Sequence, residues 1–361
     1  MSTTPGVPAA GEVVAAAQQL ADDVLFPVAQ DVDRADCIPS SHLVALADAG
    51  LFGLLGPASH GGLDADGPTV RRAMAAVASG CGATFFVWVQ HHGVVRALRS
   101  SPNTALVDAH LTELCAGRSI AGTAFAHVRR AGSPAITAVP ADGGWRLDGH
   151  APWATSWGIA GCFAVAAESA DGRLVWSLLP GSPERGVNAV ALDLAVFGAT
   201  ATVALRFDGC IVPDEQVIAV HDADAWRRAD RRSASLGQPA VLGVAGRACS
   251  LLAEVGDGDA TSAAATLAAE LAERWRIDDR LAAALTTGDD AVAEASLHRA
   301  GCLDLARRST TALLAAVGGS GVERSHPAQR LAREADFYVI QAQTADGRAA
   351  TLRHVTTTAA G

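Results

Sequence analysis

The sequence predicts an α+β protein in three consecutive segments: helical over residues 1–117, β-rich over 118–221 and helical again over 222–361. Three observations predict this order. Apolar residues recur at helical spacing from Glu12 onward, short β-branched and aromatic runs separated by Gly, Pro and Asp begin near Ser119, and an Ala/Leu-rich helical texture returns at Asp222.

In the first segment Val13, Val14, Ala17, Leu20, Val24 and Leu25 share one face of a helix over residues 12–34. Ser40 and Ser41 offer cap hydroxyls for a second helix that runs to Ala49, and Gly50 suits the positive φ of a helix C-cap. Further helices are expected over residues 68–79 and 84–100. Residues 136–139, 145–147, 162–167, 174–179 and 202–207 read as strands. About seven strands in so short a stretch suit a small antiparallel barrel or sandwich. Turn signals at residues 256–259 and 286–289 divide the third segment into helices.

With 361 residues, half of them hydrophobic, the chain has ample material for two or three packed domains. Its 28 basic residues are all Arg, against 38 acidic ones, and the net charge of −10 excludes a nucleic-acid surface as the main role. The seven cysteines are dispersed, with no C-x-x-C pair and no metal-ligand spacing, and read as reduced thiols of a cytoplasmic protein without a metal. No signal peptide is evident at the N-terminus, and Gly or charge breaks the apolar runs before the ~18 residues a membrane span needs, so no membrane insertion is expected.

Three stretches carry chemistry. The first is Gly122-Thr123-Ala124-Phe125-Ala126-His127 with Ala131-Gly132-Ser133; the second is Trp153-Ala154-Thr155; the third is Gly318-Gly319-Ser320-Gly321 followed by Arg333-Glu334-Ala335. Taken singly, Trp153 and Thr155 suit a strand core and the glycines suit a loop between helices. In this order and spacing, with Ala49-Gly50-Leu51-Phe52-Gly53 and Gly61-Gly62 before them, the chain resembles the acyl-CoA dehydrogenase family. The resemblance implies an N-terminal helical domain, a central antiparallel β-domain and a C-terminal four-helix-bundle-like domain that forms a homodimer or homotetramer. It implies FAD as cofactor, an acyl thioester of CoA or a carrier protein as substrate, and an external electron acceptor or reductase as partner.

Residue by residue, the resemblance places Phe125, Ala126, Trp153 and Thr155 at the flavin ring and Ser133 at the substrate or a flavin phosphate. Gly318, Gly319, Gly321, Thr344, Asp346 and Arg274 fall to the pyrophosphate and adenosine half. His91 and His92 lie where an acyl chain would pass and could act as acid or base near neutral pH. The departures are as informative. Ala126 replaces a Thr, His127 replaces a Glu, and Arg274 lacks the Phe-Gly that follows the family's phosphate-binding Arg. Ala342 occupies the position of the glutamate that removes the α-proton. Asp230, on the first helix after the β-domain, lies near the alternative location for that base; a surface Asp paired with a neighbouring Arg is the simpler role for it. Ala342 also leaves open a flavin-dependent monooxygenase, which needs no such carboxylate, and a catalytically silent oligomer partner.

Overall fold

The computed structural model describes residues 8–357 except Ala131 and Pro183, so the Ala131 part of the expected Ala-Gly-Ser turn lies outside the described residues. Helix α1 (Ala10–Leu20) does not continue to Arg34 as the periodicity suggests. A π-helical stretch (Ala21–Leu25), a 3-10 turn (Phe26–Val28) and α2 (Ala29–Arg34) follow instead. Pro27 explains the break, because it has no N–H to donate and its ring crowds the carbonyl one turn back. Helix α3 (Ser40–Asp48) starts at Ser40, yet Pro39 takes the cap position and no side chain bonds the free N–H groups. Gly50 adopts φ +68°, as expected after a helix end. Helices α4 (Gly67–Gly80) and α5 (Gly82–Arg99) match the reading, and α6 (Thr104–Cys115) is opened by Asn103, whose side chain accepts from the Leu106 N–H.

Eight strands follow: β1 (Ala121–Ala124), β2 (Ile136–Ala141), β3 (Gly144–Ala154), β4 (Cys162–Glu168), β5 (Arg173–Pro180), β6 (Val187–Ala191), β7 (Val203–Pro213) and β8 (Val217–Asp222). They form one sheet in the order β6-β7-β3-β2-β4-β5-β8, with β1 beside β4. Pairing is antiparallel except for β1–β4 and β2–β4, which run parallel. Strand β4 is buried on both faces, which is why Cys162-Phe163-Ala164-Val165-Ala166-Ala167 reads as one apolar run without alternation. Phe163, Val165, Leu147, Leu205, Phe207 and Val212 pack on one side of the sheet; Cys162, Ala164 and Ala166 join Leu98, Leu111 and Leu114 on the other.

Helices α7 (Ala223–Ser235), α8 (Ala240–Glu254), α9 (Gly258–Leu285), α10 (Val292–Val317), α11 (Pro327–Ile340) and α12 (Ala345–Thr357) complete the chain. Residues 286–289 fall between helices, whereas of 256–259 only Gly256 and Asp257 do; Gly258 and Asp259 open α9, which Asp257 caps by accepting from the Ala260 N–H at 2.6 Å. Ala223–Glu254 is a helical run long and apolar enough by composition to cross a bilayer, contrary to the sequence reading, but 61% of its most apolar window is buried in the fold. The turn at Gly237 and Pro239 splits it into α7 and α8.

By compactness the chain falls into two units. One unit comprises residues 1–20, 35–70 and 83–227, the other residues 21–34, 71–82 and 228–361. In the second, α10 is the central helix, in contact with α8, α9, α11 and α12. Its apolar stripe, including Leu303, Leu305, Ala306 and Leu313, is buried.

Candidate functional site

Within the first unit, β1 ends at Ala124 and the chain turns into a 3-10 segment, Ala126–Arg129. This turn leaves Ala126 exposed and Phe125 half-buried. The Phe125 ring packs on Trp176 at 5.3 Å and Trp226 at 6.0 Å between centroids, with the Arg129 guanidinium 4.9 Å from its face. His127 turns inward. Burial lowers its pKa, so its neutral ring donates from Nε2 to the Ala166 carbonyl at 2.8 Å and pins the turn to β4. Ser133 is exposed on the connection to β2.

Trp153, near the end of β3, is 45% exposed, whereas Thr155 is buried. The hydroxyl of Thr155 lies 3.1 Å from that of Thr202, which lies 2.8 Å from that of Thr200; Thr200 in turn donates to the Phe197 carbonyl at 2.7 Å. Three non-glycine residues in left-handed conformation surround this chain of hydroxyls: Ser156 at φ +77°, Phe197 at φ +62° and Ala201 at φ +48°. Such conformations cost on the order of 1–3 kcal/mol each and persist where the surroundings impose them. Here the Ser156 N–H donates to Thr200 and the Trp157 N–H to Ala201, both at 3.0 Å, locking the two segments together. The buried Ser156 hydroxyl meets no partner among the described residues. An exposed aromatic face beside fixed hydroxyls and one unmatched polar atom suits a planar, hydrogen-bonding ligand ring.

His91 and His92 sit on α5 in the same unit, at 0% and 1% exposure. His91 Nδ1 accepts from the Ala121 N–H at 3.2 Å, and His92 stacks edge-on with Trp88 at 4.5 Å. Burial drives the His91 pKa down to about 3 and that of His92 well below the usual range. Both rings are neutral interior groups at physiological pH, and their burial corrects the expectation of substrate-facing histidines. The four-residue periodicity that buries Thr84, Trp88 and His92 on one face is the reason.

Within the second unit, the structure gathers several of the expected residues around the ends of α7, α11 and α12. Asp346, in the first turn of α12, pairs with Arg231, the neighbour of half-buried Asp230 on α7; the Arg231 bond holds the Asp346 pKa below the usual carboxylate range. Thr344 caps α12, its hydroxyl accepting from the Gly347 N–H at 3.2 Å. Ala342 stands between α11 and α12 at φ +48°. The buried guanidinium of Arg299 donates to the carbonyls of Gln341 (2.6 Å), Ala342 (2.9 Å) and Ala234 (3.1 Å). One cation thus satisfies carbonyls at the C-terminal ends of two helices, α7 and α11, where the partial negative charge of the helix collects. Arg299 and Gln341 line a small cavity with Arg71, Asp278, Cys302 and Tyr338. Arg71 grips Asp278 with two hydrogen bonds of 2.5 and 2.7 Å; burial raises the Asp278 pKa, but bonds from His298 and Arg71 outweigh it and hold it low. Burial pushes the Cys302 thiol up to about 12, which makes it inert as a nucleophile.

The remaining expected residues are Gly318, Gly319, Gly321 and Arg274. Gly318 ends α10 at φ +62°; Gly318 and Gly319 are exposed, while Gly321 packs its backbone against Val317 and Leu314. Arg274 donates to Glu270 at 3.0 Å and lies so close to Gly301 that a Cβ there would meet its guanidinium. Sequence reading missed Thr200, Thr202, Trp176 and Arg299. For Arg299 the available signal is a charge on an otherwise apolar face of α10, next to buried His298 and Ala300.

The acyl-CoA dehydrogenase N-terminal domain family matches residues 9–118. Benzylmalonyl-CoA dehydrogenase of Aromatoleum aromaticum is 26% identical over 221 residues, covering 57% of this chain and 56% of that protein, so the match spans just over half of the relative's length. The butyryl-CoA dehydrogenase of Megasphaera elsdenii superposes with a TM-score of 0.81 at 17% identity, over 99% of this chain and 100% of the other. An FAD complex of PigA superposes with a TM-score of 0.83 at 18% identity, covering 99% of both chains. The order of helices, sheet and helices is theirs throughout. Residues 9–118 thus match the N-terminal domain of the acyl-CoA dehydrogenases, and the chain as a whole shares the fold of these solved structures.

Proposed function

We propose that the protein is an FAD-dependent oxidoreductase that dehydrogenates an acyl thioester of CoA or a carrier protein. Electrons then pass to an external acceptor or reductase, and the working form is a homodimer or homotetramer in the cytoplasm. The observation that carries the reading is the exposed Trp153 at the end of β3, two residues before the buried Thr155, whose hydroxyl is fixed by Thr202. Trp153, Thr155, Phe125 and the backbone at Ala126 would hold the isoalloxazine, with Ser133 toward a phosphate or the substrate. Gly318, Gly319, Gly321, Thr344, Asp346 and Arg274 would serve the pyrophosphate and adenosine. FAD, when bound, supplies an acceptor for the hydride that leaves the β-carbon. Asp230 is the carboxylate assigned to the α-proton, since Ala342 has no side chain able to take it.

Ala342 favours one second reading, oxygenation by reduced flavin, which needs no α-proton base. Both readings require FAD. Purified protein is to be denatured and its released cofactor identified by chromatography, before and after reconstitution with excess FAD. FAD in the released fraction supports the proposal; FMN, or no flavin after reconstitution, contradicts it.

A further inference from the structure

We propose that Thr155 meets the flavin ring as a hydrogen-bond acceptor, because a one-way chain of hydroxyls through Thr202 and Thr200 to the Phe197 carbonyl commits its proton inward, and that this chain favours the reduced ring over the oxidised one. The inference rests on the flavin reading above.

The direction follows from counting protons. A carbonyl oxygen cannot donate, so the 2.7 Å contact between Thr200 and Phe197 requires the Thr200 proton. The 2.8 Å contact between Thr200 and Thr202 then requires the proton of Thr202, and the 3.1 Å contact between Thr202 and Thr155 requires that of Thr155. Reversing the chain would leave two oxygens 2.7 Å apart with no proton between them. All three hydroxyls belong to buried residues, at 4%, 0% and 7% exposure for Thr155, Thr200 and Thr202, so the low dielectric strengthens the preference. The left-handed conformations of Phe197 and Ala201 hold the terminal acceptor in place.

Thr155 therefore has only lone pairs to offer outward. Two-electron reduction places a hydride on a ring nitrogen that carries only a lone pair in the oxidised flavin, creating an N–H. An accepting hydroxyl matches that N–H and opposes the lone pair. Thr202 and Thr200 are positioning residues, acting through Thr155.

The test is the two-electron reduction potential of the FAD-loaded protein, read against a redox dye. In Thr202→Val the Thr155 proton is released and becomes free to donate to the oxidised ring. The ratio of reduced to oxidised flavin at a fixed potential is expected to fall about tenfold, a shift of about 30 mV for a two-electron couple. Thr202→Ser keeps the chain and the wild-type potential, and in a Thr155→Val background Thr202→Val has no effect. FAD bound with equal potentials in wild type and Thr202→Val, or both redox forms weakened alike, overturns the inference alone; absence of FAD binding overturns the flavin reading with it. Should Thr202→Val not fold, neutron diffraction of the wild type decides. Deuterium on Thr155 pointing at Thr202 is expected, and deuterium on Thr202 pointing at Thr155 overturns the proposal.

Discussion

The Arg299 guanidinium donates a 2.9 Å hydrogen bond to the carbonyl of Ala342, the residue standing where the family's proton-abstracting glutamate would be expected. The backbone at that position is thus oriented by a buried cation, and the side chain contributes no base. The same cation binds Ala234, one turn beyond Asp230 on α7, so both locations considered for a base hang on one side chain.

Removing that cation leaves the buried carbonyl of Ala234 and the half-buried carbonyls of Gln341 and Ala342 without it. Arg299→Met is expected to destabilise the protein by at least about 3 kcal/mol, since hydrogen bonds to a charged group contribute roughly 1.5–3 kcal/mol each. Arg299→Lys keeps the charge but not the fork and should recover less than half. Urea unfolding of both variants measures this; wild-type stability for Arg299→Met would show that the carbonyls find other partners.

Helix positions were legible in the sequence wherever apolar spacing and turn residues agreed, as at residues 256–259 and 286–289. The reading failed at Pro27, where an uninterrupted apolar face continued across a residue that cannot complete helical bonding. Strand β1 was missed because Ala-Gly-Thr-Ala has no β-branched alternation, and β6 because Val-Asn-Ala-Val-Ala is an exposed edge. The motif residues Trp153 and Thr155 were visible as spacing. Thr200 and Thr202 were not, because a hydroxyl chain closes through a tertiary contact that leaves no period in the sequence. The histidine pair misled for the opposite reason: residue type suggested chemistry, whereas helical phase buried it.

That burial has a pH signature. The His91 pKa is about 3 in the folded protein against 6.5 when unfolded, and His92 is lowered likewise. Below pH 6.5 the unfolded chain takes up protons that the folded one refuses, so the contribution of these rings is complete above pH 6.5 and declines as pH falls toward 3. The slope from each is about 1.4 kcal/mol per pH unit. Denaturation midpoints at pH 7.5 and 5 should differ clearly, and by less in His91→Phe; an equal difference in that variant would exclude the ring as a cause.

On α11, Arg330 and Glu334 form a buried ion pair at 2.7 Å, with Arg330 also donating to Gln30 at 3.1 Å. Burial raises the Glu334 pKa despite its partner. Arg330→Met leaves that carboxyl alone in the interior and should cost about 3–5 kcal/mol. Adding Glu334→Leu should restore part of the loss, and a double variant weaker than the single one would show that Glu334 has a further role.

If Asp230 is the base, Asp230→Asn should slow thioester-dependent flavin reduction by about a hundredfold or more while FAD stays bound, since a general base contributes about 10²- to 10⁴-fold. Stopped-flow absorbance under anaerobic conditions gives the rate. An unchanged rate removes Asp230 from the mechanism.

The central claim is that a thioester itself reduces the flavin of this protein. The FAD-loaded enzyme is to be titrated anaerobically with straight-chain and aryl acyl-CoA thioesters while the flavin absorption band is followed. Bleaching by at least one thioester, with the α,β-unsaturated product recovered, is the predicted result. A band that no thioester bleaches, but that an external flavin reductase does, would contradict dehydrogenation and leave oxygenation as the reaction.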